Sequence, residues 1–468
     1  MAVSAARAQS AAEALRDFDF VVQVIKQDYA GFPNKTAGMK AVEFATLVKT
    51  KRAELARAPA DEGKIVNDLL AWFNDNHTGL SVAASADPVA AVGKNDGTLA
   101  KQGPFIRADQ SIPDHIRTSQ PLAGTMWVSA DGSYQAVILP DPTDPRKLAG
   151  VVTSTKSAAW SPGQVKFVLE PIAAGWGAAF NMRDHSRQLS SATFVGKGSV
   201  LRFPELSIDW VRVNPAPVVP VDHIVPSQDF FLRRLSDKTV LLRLPNFFIE
   251  NRERIERLLE SHRSLLERTP NLLIDARGNN GGSDGSYEKL MEWLYTRPIY
   301  SIGAEFRASP RNARLYKKLA QQPDFPLVTV SLIRRIVSRM RDSGRDWVSP
   351  DDRPFTITTF PRVLPNPRRV GILATGAGSS GDQFVLDARQ SRKVTTFGGP
   401  TAGVIDYSNV LETPTPSKRY VLRWATSRSM RLPQEPIDNV GIQPDVPFGD
   451  EVEDPITYVE SWLERQAD

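Results

Sequence analysis

The 468-residue chain has no cysteine and only five histidines. Without thiols there is no disulfide, no thiolate metal site and no cysteine nucleophile. Their absence leaves the compartment open, because oxidising surroundings permit disulfides without demanding them. An excess of one charge is missing too: 58 Lys+Arg against 53 Asp+Glu leave a net +5, too little on this length to imply a nucleic-acid partner. No run approaches the roughly 18 consecutive apolar residues of a membrane helix, so no integral membrane segment is expected. No HExxH or other metal-ligand spacing occurs, and neither a metal nor a cofactor is expected. What is present, 41% hydrophobic and 24% charged residues, is the composition of a globular protein long enough for two to four domains.

The pattern changes twice along the chain. In 1–82, apolar residues recur at helical spacing: Leu15, Phe18, Val22, Ile25 and Tyr29, then a run over about 39–56, then Ile65, Val66, Leu69, Leu70 and Phe73. This predicts a helical unit with His77 just beyond its last turn. In 83–232, short strand-like runs alternate with Gly and Pro, and 126–139 reads as two strands around Asp131-Gly132. That stretch predicts a β-rich domain, a small sandwich or barrel. In 233–468, strands expected at 239–244, 271–275, 370–374 and 394–397 alternate with helices at 255–266, 286–297 and 380–389, which predicts an α/β layer with parallel pairing. His262 falls on the apolar face of its helix and is expected to pack there. The basic run Arg334–Arg341 reads as a solvated helix face. Near the start, Ala6-Arg7-Ala8 has the small-x-small pattern that ends a secretory signal, although the charged start and apolar segment of a full signal are lacking; a periplasmic or secreted location is expected.

Three places combine strand or helix ends with reactive side chains. At 275–285 a strand runs into a glycine-rich turn, where backbone N–H groups can approach a ligand oxygen; a plain structural corner is an equal reading. The spacing matches neither a dinucleotide fingerprint nor a P-loop. At 376–382 a strand feeds a glycine-flanked serine at a helix start, which suits either an exposed nucleophile or, more simply, a helix cap. At 74–78 a lone histidine ends a helix; such a residue is a base in some proteins and a satisfied polar group in more of them.

Together these blocks resemble the tail-specific (C-terminal-processing) serine protease superfamily, nearest to its branch containing the tricorn core protease and the interphotoreceptor retinoid-binding protein. The likeness rests on Asn74-Asp75-Asn76-His77-Thr78, on Ile274-Asp275-Ala276-Arg277-Gly278-Asn279-Asn280-Gly281-Gly282, on Ser379-Ser380-Gly381-Asp382, on Gly399-Pro400-Thr401-Ala402-Gly403 and on Asp438-Asn439-Val440-Gly441-Ile442-Gln443-Pro444-Asp445, in that order. It covers about 10–80 and 235–450. The resemblance implies a crotonase/ClpP-like α/β catalytic domain of ββα layers, with Ser379 as nucleophile and His77 as base. It also implies an oxyanion hole from the backbone N–H of Ser380 and of Gly281 or Gly282. Val404 stands where one branch carries a catalytic lysine. Asn76 replaces a supporting serine and Asp438 a supporting glutamate; on this reading Asp438 orients His77, with Asn76 as intermediary. No PDZ domain is recognisable. The implied activity is an endopeptidase acting on peptides or unfolded proteins. A non-catalytic binding protein on the same fold, or an esterase using the same serine, would share these motifs.

Overall fold

The computed structural model describes residues 10–83, 106, 122–173, 175–322, 325, 327–351 and 353–466; the Ala6-Arg7-Ala8 pattern lies outside them. Two compact units emerge, one formed by Met1–Ala84 with Phe230–Pro447 and the other by Ser85–Asp229 with Phe448–Asp468. The expected division at 82 and 232 is therefore corrected in two respects. The N-terminal helices are not a separate body, because their apolar faces are buried in a core that later segments complete. Phe18, Val21 and Ile25 of helix Ala11–Asp28 share one core with Phe306, Tyr316, Ile336, Leu422 and Trp424. Strand Gly79–Val82 seals that junction by pairing antiparallel with Tyr420–Ser429. At the other end, helix Pro455–Arg465 belongs to the second unit, where its N-cap Asp454 meets His223 Nδ1 at 3.0 Å.

The α/β layer of the first unit is a six-stranded sheet in the order Phe231–Arg234, Thr239–Arg243, Asn271–Asp275, Arg369–Leu373, Val394–Gly398 and Val446–Pro447. Only the first pair is antiparallel. Thr239–Arg243 and Asn271–Asp275 are buried at every position, as strands covered on both faces must be. The helix expected over 255–266 is broken into Arg252–Ser261 and Arg263–Arg268. His262 makes the break: it is half-buried rather than packed in the core, and its Nδ1 donates to the Leu258 carbonyl at 2.9 Å. The basic run lies on helix Leu327–Asp342, with Arg334, Arg335 and Arg341 exposed and Ile333, Ile336 and Val337 buried. A second, antiparallel sheet was not expected. It joins Gly79–Val82, Tyr407–Pro414, Tyr420–Ser429, Ala304–Arg307 and Trp347–Val348. Its strands are half polar, so they carry a weaker hydrophobic signal than the buried parallel set.

In the second unit, eight antiparallel strands between Met126 and Asn214 close into a barrel, the last pairing with the first. Closure leaves no free edge. Trp127, Phe167, Phe203 and Trp210 fill it. Among them sits Lys166, 3% exposed, with its Nζ 3.9 Å from the Trp160 ring centre and 4.2 Å from that of Tyr134. Burial pulls this lysine down to about 7, against the opposing pull of the Asp131 and Asp184 charges. Among the described residues, no helix is long and apolar enough to cross a membrane.

The lysine makes stability depend on pH in a predictable direction. Its folded pKa lies below its unfolded value, so the unfolded chain holds the extra proton between about 7 and 10.5. The resulting destabilisation is complete below that window and fades as pH rises through it. Lys166→Met is expected to raise the thermal midpoint most at pH 6 and hardly at all near pH 10.5, by calorimetry of both chains. A gain independent of pH would show that packing, not charge burial, governs the position.

Candidate active site

Parallel register places three turns side by side. Asp275 pairs with Leu373 and Leu373 with Phe397, so the segments leaving the three strands emerge together at their C-terminal ends, where open α/β sheets hold their ligands. Backbone bonds join them: Gly278 N to Thr375 O at 2.9 Å, Gly378 N to Asn279 O at 2.9 Å, Gly376 N to Pro400 O at 2.9 Å and Ala402 N to Ala377 O at 2.8 Å.

The glycine-rich turn is held from below by buried charges. Arg277 forms a two-pronged pair with Asp275, at 2.8 and 2.9 Å, and Arg243 donates to the Asp275 and Arg277 carbonyls at 3.0 and 2.9 Å. Burial raises the Asp275 pKa, but the two guanidinium groups outweigh it and hold the carboxyl below its usual range. Asn279, fully buried, donates to Leu244 O at 3.0 Å and accepts from Gly281 N at 2.8 Å. That second bond occupies the Gly281 amide. Of the alternatives for the oxyanion hole, Gly281 is therefore not a free donor, whereas the Gly282 and Ser380 N–H groups have no partner among the described residues. Gly281 has a different role. At φ +72° it passes so close to the serine that a Cβ there would lie 2.6 Å from Gly378 O and 2.7 Å from Ser379 Cβ.

Ser379 adopts φ +57°, ψ −119° immediately before helix Ser380–Ala388. A non-glycine residue in that region is strained and persists only where its surroundings impose it. The constraint is Asp382. This fully buried carboxylate accepts from Ser379 N at 2.9 Å, Gly403 N at 3.2 Å and Val404 N at 2.9 Å. Burial pushes its pKa up, and these bonds together with one from the Thr401 hydroxyl oppose that rise. The Ser380 hydroxyl is hydrogen-bonded to Asp284 and so is engaged elsewhere.

His77 follows a tight corner. Asn74 takes φ +47°, and Asp75 accepts from His77 N at 2.8 Å and from the Tyr29 hydroxyl at 2.5 Å. Lys35 donates to Phe73 O at 2.7 Å and Asn439 to Asn74 O at 3.2 Å. The ring is half-buried, and its Nδ1 lies 2.7 Å from the Tyr407 carbonyl oxygen. A carbonyl only accepts, so Nδ1 carries the proton, and in the neutral ring Nε2 presents its lone pair. Nε2 has no partner among the described residues, and no hydrogen bond joins it to Ser379.

The expected orienting network is corrected here. Asp438 does not reach the ring; its Oδ1 accepts from Ile405 N and Asp406 N, both at 2.7 Å, and its own N–H donates to Asp406 at 2.8 Å. It shapes the corner directly before Tyr407. Burial raises its pKa to about 6; the Ile405 and Asp406 N–H groups oppose the rise, and the Asp406 and Asp75 charges add to it. The Asn76 side chain is exposed and unbonded; only its carbonyl is engaged, by Arg423 at 3.2 Å. Asp382, Asp75 and the Tyr407 carbonyl were not anticipated. Asp382 had a readable signal, since Ser379-x-x-Asp382 has capping-box spacing with Asp in place of Glu; a backbone carbonyl has none. Beside Gly282 opens a pocket of about 390 Å³, walled by Phe248, Ile249, Glu250, Ser283, Phe325 and Thr329.

Residues 238–448 match the family model described as peptidase family S41. No curated protein matches the chain. Among solved structures, mature CPAF aligns with a TM-score of 0.52 at 14% identity, over 97% of this chain and 96% of its own. Mature CPAF complexed with lactacystin gives 0.51 at 13%, over 97% of each chain. The tricorn protease gives 0.44 at 14%, over 97% of this chain and 37% of that one. At such identities the CPAF likeness is one of fold.

Two outcomes follow from the geometry. Gly281→Ala is expected to abolish turnover while the chain stays folded by circular dichroism, because the added methyl meets backbone at the serine; a variant with near-normal activity would mean the turn is loose. Asp438 has a folded pKa above the ordinary aspartate value, so its ionisation burdens the fold above about pH 6 and not below pH 4. Asp438→Asn is expected to raise the thermal midpoint at pH 7.5 but not at pH 4, in matched melting curves.

Proposed function

The domain spanning residues 238–448 belongs to peptidase family S41, which makes this protein a serine-type peptidase of the tail-specific protease superfamily, and from that premise we propose that it cleaves peptide bonds through an acyl-enzyme formed on Ser379. The observation that carries this reading is the Ser379 turn, held at φ +57° between the unpartnered N–H groups of Ser380 and Gly282. A strained serine at a helix N-terminus presents its hydroxyl to substrate and directs the positive end of the helix dipole at the reacting carbonyl.

In the proposed reaction His77 Nε2 removes the Ser379 hydroxyl proton as Oγ adds to the scissile carbonyl. The oxyanion accepts from Ser380 N–H and Gly282 N–H, an arrangement typically worth about 3–4 kcal/mol per donor. The imidazolium that forms is steadied by the Tyr407 carbonyl on Nδ1, the task a buried carboxylate performs in other triads. It then passes its proton to the departing amine, and water, activated by the same nitrogen, releases the acyl group. Asp438 acts one step away, as a positioning residue for the 405–407 corner. We place the protein with the tricorn-like branch, since Val404 fills the position of the alternative lysine and packs over Gly378. We read the six-stranded sheet as the crotonase/ClpP-like layer. The pocket beside Gly282, with its phenylalanine walls, is assigned to an apolar substrate side chain.

A fluorophosphonate probe is expected to label Ser379, located by peptide mass mapping, and to leave Ser379→Ala unlabelled. His77→Ala is expected to lower kcat/KM by roughly three orders of magnitude or more, with the double variant little worse than either single one. Label on another residue, or near-normal turnover by His77→Ala, would sink this assignment.

A further inference from the structure

The barrel of the second unit contains a group of polar atoms for which the described residues provide no partner. A pocket of about 310 Å³ opens into it, lined by Tyr134, Lys166, Phe180, Met182, Ile208 and Trp210 among others. The Trp210 indole N–H and the Tyr134 hydroxyl are buried and have no hydrogen-bond partner among the described residues. Trp210 is 0% and Tyr134 8% exposed. Among the described residues the Lys166 ammonium makes no hydrogen bond and no ion pair, and it faces the rings of Trp160, Tyr134 and Phe180, at 3.9, 4.2 and 5.2 Å from their centres. Buried polar groups are nearly always paired, and three orphans lining one cavity mark a place where something is bound.

We propose that this pocket binds a small monocarboxylate with an apolar body. An ammonium and an indole N–H only donate, and a phenol can donate, so the missing chemistry is an acceptor. Lys166 also has no ion-pair partner among the described residues, and a neutral ketone or amide would leave its charge buried and unpaired. A carboxylate brings two oxygens and one negative charge. A dianion such as phosphate fits less well, because Asp131 and Asp209 also line the pocket and Asp184 lies near the lysine. Arg183 and Lys156 complete the charged groups around it. The remaining wall, Phe180, Met182 and Ile208, suits a ring or short hydrocarbon. The lowered lysine pKa has the same origin, since burial without a counter-ion disfavours the charged form. The ligand carboxylate could belong to a free acid or to the end of a peptide, and the two are separable by experiment.

The test is titration calorimetry on the full chain bearing Ser379→Ala, so that turnover adds no heat. Four probes are used: 3-phenylpropanoate, 3-phenylpropanol, acetyl-Gly-Phe with a free carboxylate, and its C-terminal amide. The expected result is binding of at least one acid with a Kd tenfold or more below that of its neutral counterpart. Lys166→Met should weaken that acid at least tenfold; Tyr134→Phe, which removes only the hydroxyl, and Trp210→Phe, which removes the N–H together with part of the ring, should each weaken it severalfold. Preference for the peptide acid identifies a chain end as the ligand, and preference for phenylpropanoate a free acid. Equal affinity for acid and neutral partner, unchanged affinity in folded Lys166→Met and Trp210→Phe chains, or no binding of either acid at concentrations of about 5 mM would overturn the proposal.

Discussion

One buried carboxylate connects the parts of the candidate active site. Asp382 accepts the N–H of Ser379 on one side and those of Gly403 and Val404 on the other. The first bond holds the serine in its strained turn. The other two fasten the segment that leads, three residues later, to Tyr407, whose carbonyl sets the tautomer of His77. Ser379 and the segment leading to the carbonyl that meets His77 are therefore both tied to one side chain, although the histidine comes from the far end of the chain. A charged acceptor binding three amides is stronger than neutral bonds of the same number, and leaving those amides unpaired would cost about 1–3 kcal/mol each.

The histidine is oriented by main chain rather than by a side-chain acid. A carbonyl keeps Nδ1 protonated as a carboxylate does, but it brings a dipole where the acid brings a full charge. Asp75, Asp406 and Asp438 stand around that corner and supply negative field from one residue further out. Burial and mutual repulsion hold the Asp438 pKa near 6. Its backbone bonds show why an aspartate suffices there: it has only to span a turn, not reach the ring.

The two units handle buried charge differently. Beneath the glycine-rich turn, Arg243, Asp275 and Arg277 satisfy one another, and the corner is rigid. In the barrel, among the described residues, Lys166 has aromatic faces but no ion pair, while neighbouring indole and phenol groups lack partners. The first arrangement is complete without a ligand. The second is complete only with one, and such an incomplete polar cluster reduces stability until it is filled.

Much of this was legible in the residues. A buried strand at 271–275, a strand at 370–374, a turn at Asp131-Gly132, the helix carrying Leu15, Phe18, Val22 and Ile25 and the helix at 380–389 follow from local periodicity and turn chemistry, which act over a few residues. The glycines at 281 and 282 and the serine at 379 were readable for the same reason. Tertiary structure alone decided that the N-terminal helices complete a core with Tyr316 and Trp424, that Gly281 is consumed by Asn279 while Gly282 is free, and that Tyr407 rather than Asp438 or Asn76 orients the histidine. Those outcomes depend on where backbone atoms from distant segments come to rest. A carbonyl is the same in every residue, so nothing in the order of side chains marks which one will meet an imidazole.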